Sequence, residues 1–363
     1  MGVRVVDTTK LSPRLTASYD LFGTGKTLAS AAYGRYYQFL VQSIADSIFS
    51  GLPQQASFDQ FHFDGTQFVF DQSVRAGGNS QPVNSSLAPS YVDEINVALQ
   101  QQIGNTVAVG VRAIYRKWNN LVDDQKQIVA GTEILTPENF SDSVLKRRYR
   151  GIELTFEKRF SDNWTALANY TLSRSEGNQF NNFTTALLDF PGSSCTVAGV
   201  GAMPCTQAEI TNQYGPSAFD RTHVFQAFGA YRLPLGFVNL TAAPAFTWMS
   251  GLPYQEQVAF RNPAGTNVSY FVTPRGSSRL PDSYRVDFAL EATFQAFGAN
   301  TVPLVAGPLE FGLKGEVFNV TNQQEVFFNN AISLLPNGFF GDPTSRGAFQ
   351  TPRTYRFTAL MRF

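Results

Sequence analysis

From Leu11 to Phe363 the chain is built of segments about ten residues long in which apolar and polar side chains take turns. The final segment, Thr354 to Phe363, places Tyr355, Phe357, Ala359, Met361 and Phe363 on one face and Arg356, Thr358 and Arg362 on the other, because successive strand side chains point in opposite directions. Ile152, Leu154 and Phe156 alternate with Gly151, Glu153, Thr155 and Glu157, and Tyr284, Val286, Phe288 and Leu290 alternate with Arg285, Asp287, Ala289 and Glu291. Leu309, Phe311 and Leu313 against Glu310, Lys314 and Glu316 repeat the theme. No stretch recurs persuasively at i, i+3, i+4 and i+7, so the fold class expected is all-β.

About eleven strands are predicted: Leu11 to Tyr19, Thr27 to Tyr37, Tyr91 to Gln101, Thr106 to Trp118, Arg148 to Phe160, Trp164 to Ser173, His223 to Tyr231, Val238 to Trp248, Tyr284 to Phe294, Leu309 to Asn319 and Thr354 to Phe363. Short connections (Asp20 to Lys26, Ile103 to Asn105, Ser161 to Asn163, Arg232 to Phe237) take turns with long ones (Phe39 to Ser90, Asn119 to Lys146, Arg174 to Thr222, Ser250 to Ser283, Val320 to Arg353). A compact soluble domain seldom carries five such loops, whereas an outer-membrane barrel has short periplasmic turns and long extracellular loops. If the terminal strand runs down to the periplasm, every long loop falls outside. Gln295 to Pro308, nominally periplasmic, departs by its length.

An antiparallel transmembrane β-barrel is therefore expected, with one face oily and the other carrying both signs of charge. Charges line an interior rather than meet lipid, which makes Glu153, Glu157, Arg285, Glu291, Lys314 and Glu316 the candidate lumen lining. A soluble β-sandwich binding module also alternates, and the loop lengths are what disfavour it. Aromatics near strand ends, among them Tyr36, Tyr37, Trp118, Phe160, Trp164, Tyr231, Trp248 and Tyr254, fall where interfacial girdles would lie.

Composition agrees. Charged residues are 15% and aromatics 14%, with 33 Phe, the profile of a surface that meets lipid. Lys plus Arg equals Asp plus Glu at 28 each, so no basic field exists to attract nucleic acid. No apolar run reaches the length of a spanning helix, which says nothing against spanning strands. Met1 to Asp7 shows no charged segment followed by an apolar core and a small-residue cleavage site, leaving either a longer precursor or a chain that does not reach the membrane.

Candidate chemistry is sparse. Gly23-Thr24-Gly25-Lys26-Thr27 has Asp20 where a phosphate-binding loop needs glycine, and reads as a tight turn. Asp220-Arg221-Thr222-His223 lacks a serine elbow or zinc pair, and only two His exist, so neither an enzyme nor a cofactor or metal is expected. Cys195 and Cys205, the only cysteines, stand ten apart in a Gly-rich stretch, as a small loop disulfide or as two idle thiols. Phe61, His62, Phe63, Tyr254, Tyr270, Phe327 and Phe328 in the long loops are candidate ligand contacts; the alternative is that such aromatics pack the loops together or form a small outer hairpin.

Several phrases in order resemble the C-terminal barrel of TonB-dependent outer-membrane receptors of the Oar-like group. They are Ser12-Pro13-Arg14 to Tyr19 with Phe22-Gly23-Thr24-Gly25-Lys26-Thr27, Tyr33-Gly34-Arg35-Tyr36-Tyr37, Tyr149-Arg150-Gly151-Ile152-Glu153, Lys158-Arg159-Phe160, Asn169-Tyr170-Thr171-Leu172-Ser173, Phe219-Asp220-Arg221-Thr222-His223, Leu233-Pro234-Leu235-Gly236 and Glu316-Val317-Phe318-Asn319-Val320-Thr321-Asn322. The resemblance implies that residues 1–363 form roughly half of a plugged barrel of about twenty-two strands in the bacterial outer membrane. It further implies uptake of a large extracellular ligand, with TonB engaged only through a plug region that this sequence does not contain. The barrel-assembly machinery would read the final strand through Tyr355, Phe357, Met361 and Phe363. A passive porin or a structural or adhesive surface barrel is the alternative.

Overall fold

The computed structural model describes residues 10–38, 56–63, 66–76, 87–129, 132–179, 187–189, 194–197, 199–261, 267–297, 309–327, 341–343 and 346–362. Eleven strands follow one another in a single antiparallel sheet: β1 (Arg14–Asp20), β2 (Thr27–Tyr37), β3 (Tyr91–Ile103), β4 (Val107–Asn119), β5 (Arg147–Ser161), β6 (Trp164–Gly177), β7 (His223–Leu235), β8 (Val238–Met249), β9 (Ser283–Phe297), β10 (Leu309–Phe318) and β11 (Thr354–Arg362). Each strand pairs with its sequence neighbours, and the short strand Gly215–Pro216 adds to the end of β6.

All eleven predicted strands form, with shifted ends. β1 starts at Arg14 and not at Leu11, because Pro13 has no N–H to give a ladder. β10 stops at Phe318, since Asn319 takes φ +52°. β7 runs to Leu235, so the expected turn from Arg232 shrinks to Gly236, at φ +68°, and Phe237. The turn between β5 and β6 is made by Asp162 and Asn163 at φ +53° and +67°, the left-handed pair that suits a two-residue hairpin. The Gly-rich turn after β1 is tied by Asp20, whose carboxylate accepts from the N–H of Phe22 at 3.3 Å and of Gly25 at 2.5 Å.

Secondary structure inside the long loops was not predicted, apart from the small outer hairpin left open for the aromatic segments. Ala56–Phe63 pairs with Phe68–Ala76 as such a hairpin, and Val122–Val129 pairs with Thr132–Asn139. A six-residue helix, Cys205–Ile210, is too short to leave a helical period in the sequence.

Both clusters of buried apolar side chains among the described residues lie in the loops. The eleven-strand sheet is a single layer whose apolar side chains stay exposed, including Val97 at 54%, Leu290 at 45% and Leu313 at 61%. A sheet normally buries its apolar face against a second layer, so this one is shaped for a surrounding that is itself apolar.

Candidate functional site

Directly opposed residues of an antiparallel pair share a face, so the register can be followed across the whole sheet. Val97 faces Ala113, Ala113 faces Ile152, and Ile152 faces Leu172. Farther along, Phe246 faces Val286, Ala242 faces Leu290, Leu290 faces Gly315, and Gly315 faces Phe357. Tyr355, Phe357 and Met361 stand on this apolar face and are more than half exposed. Phe363 lies outside the described residues.

The same register carries the six expected lumen residues to the other face. Glu153 opposes Arg112 and Glu157 opposes Ala108, while Arg285 opposes Thr247, Glu291 opposes Lys314, and Glu316 opposes Arg356. Most of this charge is paired: Arg112 to Glu153 at 3.1 Å, Arg285 to Asp287 at 2.9 Å and Lys314 to Glu316 at 2.9 Å. Arg356 also binds Glu316, and Arg116 binds Glu94. Glu94, Arg112, Arg116, Asp287 and Arg356 thus belong to the site too. Alternation could have found the β3 and β4 members, but Ala, Gln and Gly dilute the contrast there.

Two grooves open on this polar face. One of about 290 Å³ lies over Ser30, Asn96, Gln100, Arg112, Glu153 and Thr155. The other, of about 460 Å³, is lined by Gln226, Thr247, Arg285, Phe327 and Gln350 among others. The smaller groove offers mainly hydrogen bonds and charge, as a water-filled or polar-plugged interior requires, whereas the larger one adds Met249, Phe327 and Phe349 to its polar lining.

Above the long-loop rim the loops are knitted together. Asp220, its side chain 1% exposed, accepts from the N–H of Ser175 at 2.6 Å and from Arg279 Nη2 at 2.7 Å. Arg279 Nη1 donates to the carbonyls of Asp220 at 3.0 Å and Gly251 at 2.9 Å. Gly251 packs so closely that a Cβ there would sit 1.6 Å from the Leu280 carbonyl. Arg221 donates to the Ser250 carbonyl at 2.6 Å and stacks its guanidinium 4.8 Å from the Phe327 ring; burial pushes its pKa down. His223 bonds Tyr170 through Nδ1 at 2.8 Å. The Asp220-Arg221-Thr222-His223 phrase is therefore a structural clamp, and the signal that marked it was its place in the family resemblance.

Cys195 and Cys205 are joined by a disulfide. With Val197, Val258, Phe260 and Tyr270 they form a small core under four short strands, Ser194–Val197, Gly201–Pro204, Gln257–Arg261 and Asn267–Phe271, which unite the loops before β7 and before β9. Arg275 adds a second tie, donating to Gln213 at 2.6 and 2.8 Å while burial lowers its pKa to about 10. Replacing both cysteines by serine should loosen this unit by about 2–3 kcal/mol. Amide exchange is expected to quicken in Ser194–Val197 and Gln257–Arg261 and to stay unchanged in β8 and β9.

The expected ligand-contact aromatics divide. Tyr270 is corrected: at 7% exposure it belongs to the disulfide core and offers no surface to a ligand. Tyr254 packs, half-buried, against Leu252 and Leu280. Phe327 lines the larger groove beside Arg285. Phe61 and Phe63 pair with Phe70 and Phe68 in the outer hairpin, with His62 between them opposite Val69. The side chains of Phe61, His62 and Phe63 lie outside the described residues, as does Phe328.

Comparison with known proteins adds a family match: the model for the "outer membrane beta barrel domain" covers residues 2–252. The TonB-dependent transporter Oar of Myxococcus xanthus is 24% identical over 425 residues, which take in 97% of this chain and 38% of that protein. Among solved structures, the outer membrane transporter YddB of Escherichia coli superposes with a TM-score of 0.59 at 15% identity, over 97% of this chain and 40% of its own. The ferripyoverdine receptor of the outer membrane of Pseudomonas aeruginosa gives a TM-score of 0.52 at 12% identity, over 97% and 33%. The chain thus spans less than half the length of each of these relatives.

Proposed function

The chain belongs to the outer membrane β-barrel domain family, and we propose that residues 1–363 form the C-terminal part of a receptor barrel that takes up a large ligand across the bacterial outer membrane in a TonB-dependent manner. The observation that carries this reading is the one-layer sheet with an exposed apolar face and an ion-paired polar face. The polar face lines the lumen through Glu153, Glu157, Arg285, Glu291, Lys314 and Glu316. The long loops, clamped at Asp220 and Arg221, form the ligand-facing mouth, with Phe327 as its aromatic contact; TonB acts through a plug carried elsewhere in the protein. In this reading the chain binds and moves a ligand, in keeping with its similarity to proteins named transporter and receptor, and catalyses no reaction.

Strand parity supports the partial barrel. In an eleven-strand antiparallel path the first and last strands run the same way, so β1 and β11 cannot close on each other as an antiparallel pair. Closure takes an odd number of further strands, and a second set of about eleven would reach the twenty-two of the plugged transporters. Without closure the outer edges would leave backbone donors and acceptors bare in lipid.

Ion conductance of the encoded full-length protein in planar bilayers in KCl tests the reading. A plugged receptor holds the membrane sealed; steady open conductance would favour the passive porin instead. Deleting Phe363 is expected to lower insertion into outer-membrane fractions severalfold, because the sequence alternation assigns it to the apolar stripe of Tyr355, Phe357 and Met361. Unchanged insertion would remove the assembly role from that residue.

A further inference from the structure

Charge on the apolar face is not spread evenly. At the long-loop ends of β4, β5 and β6 the face changes within one residue pair from Ile152 and Leu172 to Arg150 and Arg174, which stand directly opposite each other. One pair farther out, Arg148 lies between Lys117 on β4 and Glu176 on β6. Like charges opposed across a strand pair repel, and here a single carboxylate serves both: Glu176 accepts from Arg150 at 2.5 Å and from Arg174 at 2.7 Å. Lys117 pairs with Asp142, and Arg35 with Asp93 at 2.8 Å closes the row on its far side. Arg148 makes no ion pair among the described residues. Lys146 sits 5.8 Å over the ring of Tyr214, itself 44% exposed. Burial first, and then Glu176, hold the Tyr214 phenol above its usual pKa, and Arg148 and Arg150 act on it in the opposite sense, so the ring borders the same cluster.

Cations therefore outnumber carboxylates on this patch, and Arg150 and Arg174 keep more than half of their side-chain surface free. The polar face is arranged differently, with Arg112, Arg116, Arg285, Lys314 and Arg356 each matched to a carboxylate. At the opposite rim of the apolar face Lys158 is folded back, donating to the Ser161 hydroxyl at 2.5 Å and lying 4.4 Å from the Trp164 ring. The excess positive charge thus stands immediately above the apolar band, on the long-loop side, facing away from the lumen. Guanidinium groups hold phosphate through paired N–H donors, and a basic group at a membrane surface gains about 1 kcal/mol against anionic headgroups.

We propose that Lys146, Arg148, Arg150 and Arg174 form a docking site for the phosphate groups of lipids in the membrane leaflet on the long-loop side. Complementary charge and the position one residue pair above Ile152 and Leu172 select a lipid headgroup as the occupant. The site holds that leaflet against the barrel wall and steadies the loop before β7, through Tyr214, independently of the ligand in the lumen. The proposal rests on the membrane-spanning reading, and its test separates the two.

The intact protein is reconstituted in phosphatidylcholine bilayers containing either pyrene-labelled phosphatidic acid, whose headgroup is a phosphate monoester, or pyrene-labelled phosphatidylcholine. Energy transfer from the tryptophans reports which lipid gathers at the protein, and heat-modifiable gel mobility reports insertion. Phosphatidic acid is expected to be enriched, less so as salt is raised. Arg148→Ala with Arg174→Ala should cut the enrichment by about fivefold per charge removed, while the Arg→Lys pair retains most of it and Lys26→Ala at the short-turn rim leaves it unchanged. Equal gathering of both lipids, an unchanged double alanine variant, or full displacement by inorganic phosphate overturns the proposal. Failure of the intact protein to insert would instead overturn the membrane-spanning reading and the proposal with it.

Discussion

Leu290→Arg is expected to reduce stability in the bilayer by about 2–4 kcal/mol, the cost of a cation on the lipid face near the midplane of a barrel. Leu290 lies midway along β9, between Ala242 of β8 and Gly315 of β10, with Phe288 and Ala292 beside it on the same face. None of these offers a carboxylate, and a guanidinium at this depth is far from either rim. Thr293→Arg, three residues away on the polar face between Asn239 and Gly312, should change stability by less than about 1 kcal/mol, since its charge meets the lumen. Urea titration of the protein in bilayers, followed by tryptophan fluorescence, compares the two. Equal losses for both variants would mean that the faces do not differ in their surroundings.

The second large effect belongs to the clamp above the rim. Asp220→Ala removes the acceptor of the Ser175 N–H and the partner of Arg279. Breaking a fully buried pair costs about 3–5 kcal/mol; Arg279 is 35% exposed and recovers some solvation, so about 2–3 kcal/mol is expected. The loss is local. Amide exchange should accelerate in residues 217–222 and 250–282, while β8 and β9, held by their own ladders, keep their protection. Asp220→Asn, which retains an acceptor for Ser175, should fall between. Uniform acceleration across the sheet would show that the clamp supports the barrel rather than the mouth.

The sheet was legible in the sequence because its signal has period two and its side chains answer to one surrounding on each face. Ile152 and Glu153 are neighbours that face different media, and the contrast survives without any knowledge of their partners. Loop architecture was much less legible. The clamp joins Ser175, Asp220, Gly251 and Arg279, residues far apart in sequence whose meeting depends on tertiary placement, and no local pattern announces it. Tyr270 shows the same limit from the other side: an aromatic in a loop suits a ligand surface or a small core equally well, and the disulfide unit took it for its core. The rim cations were hidden for another reason. Lys117, Arg148, Arg150 and Arg174 share a face with Ile152 and Leu172, yet an alternation read only along each strand treats a charged residue at the end of an apolar face as a strand end. The register between strands is needed to see that three strands place their cations together.

One face of this sheet is proposed to meet lipid and the other an aqueous lumen. Site-directed spin labels placed singly from Tyr284 to Phe294 in the intact protein, in lipid bilayers, test it through collision with oxygen, which partitions into lipid, and with a water-soluble nickel chelate. Labels at 286, 288, 290 and 292 should be accessible to oxygen, and those at 285, 287, 289 and 291 to nickel, in strict alternation. Nickel access at all positions, or no alternation, would mean that the two faces do not meet different media.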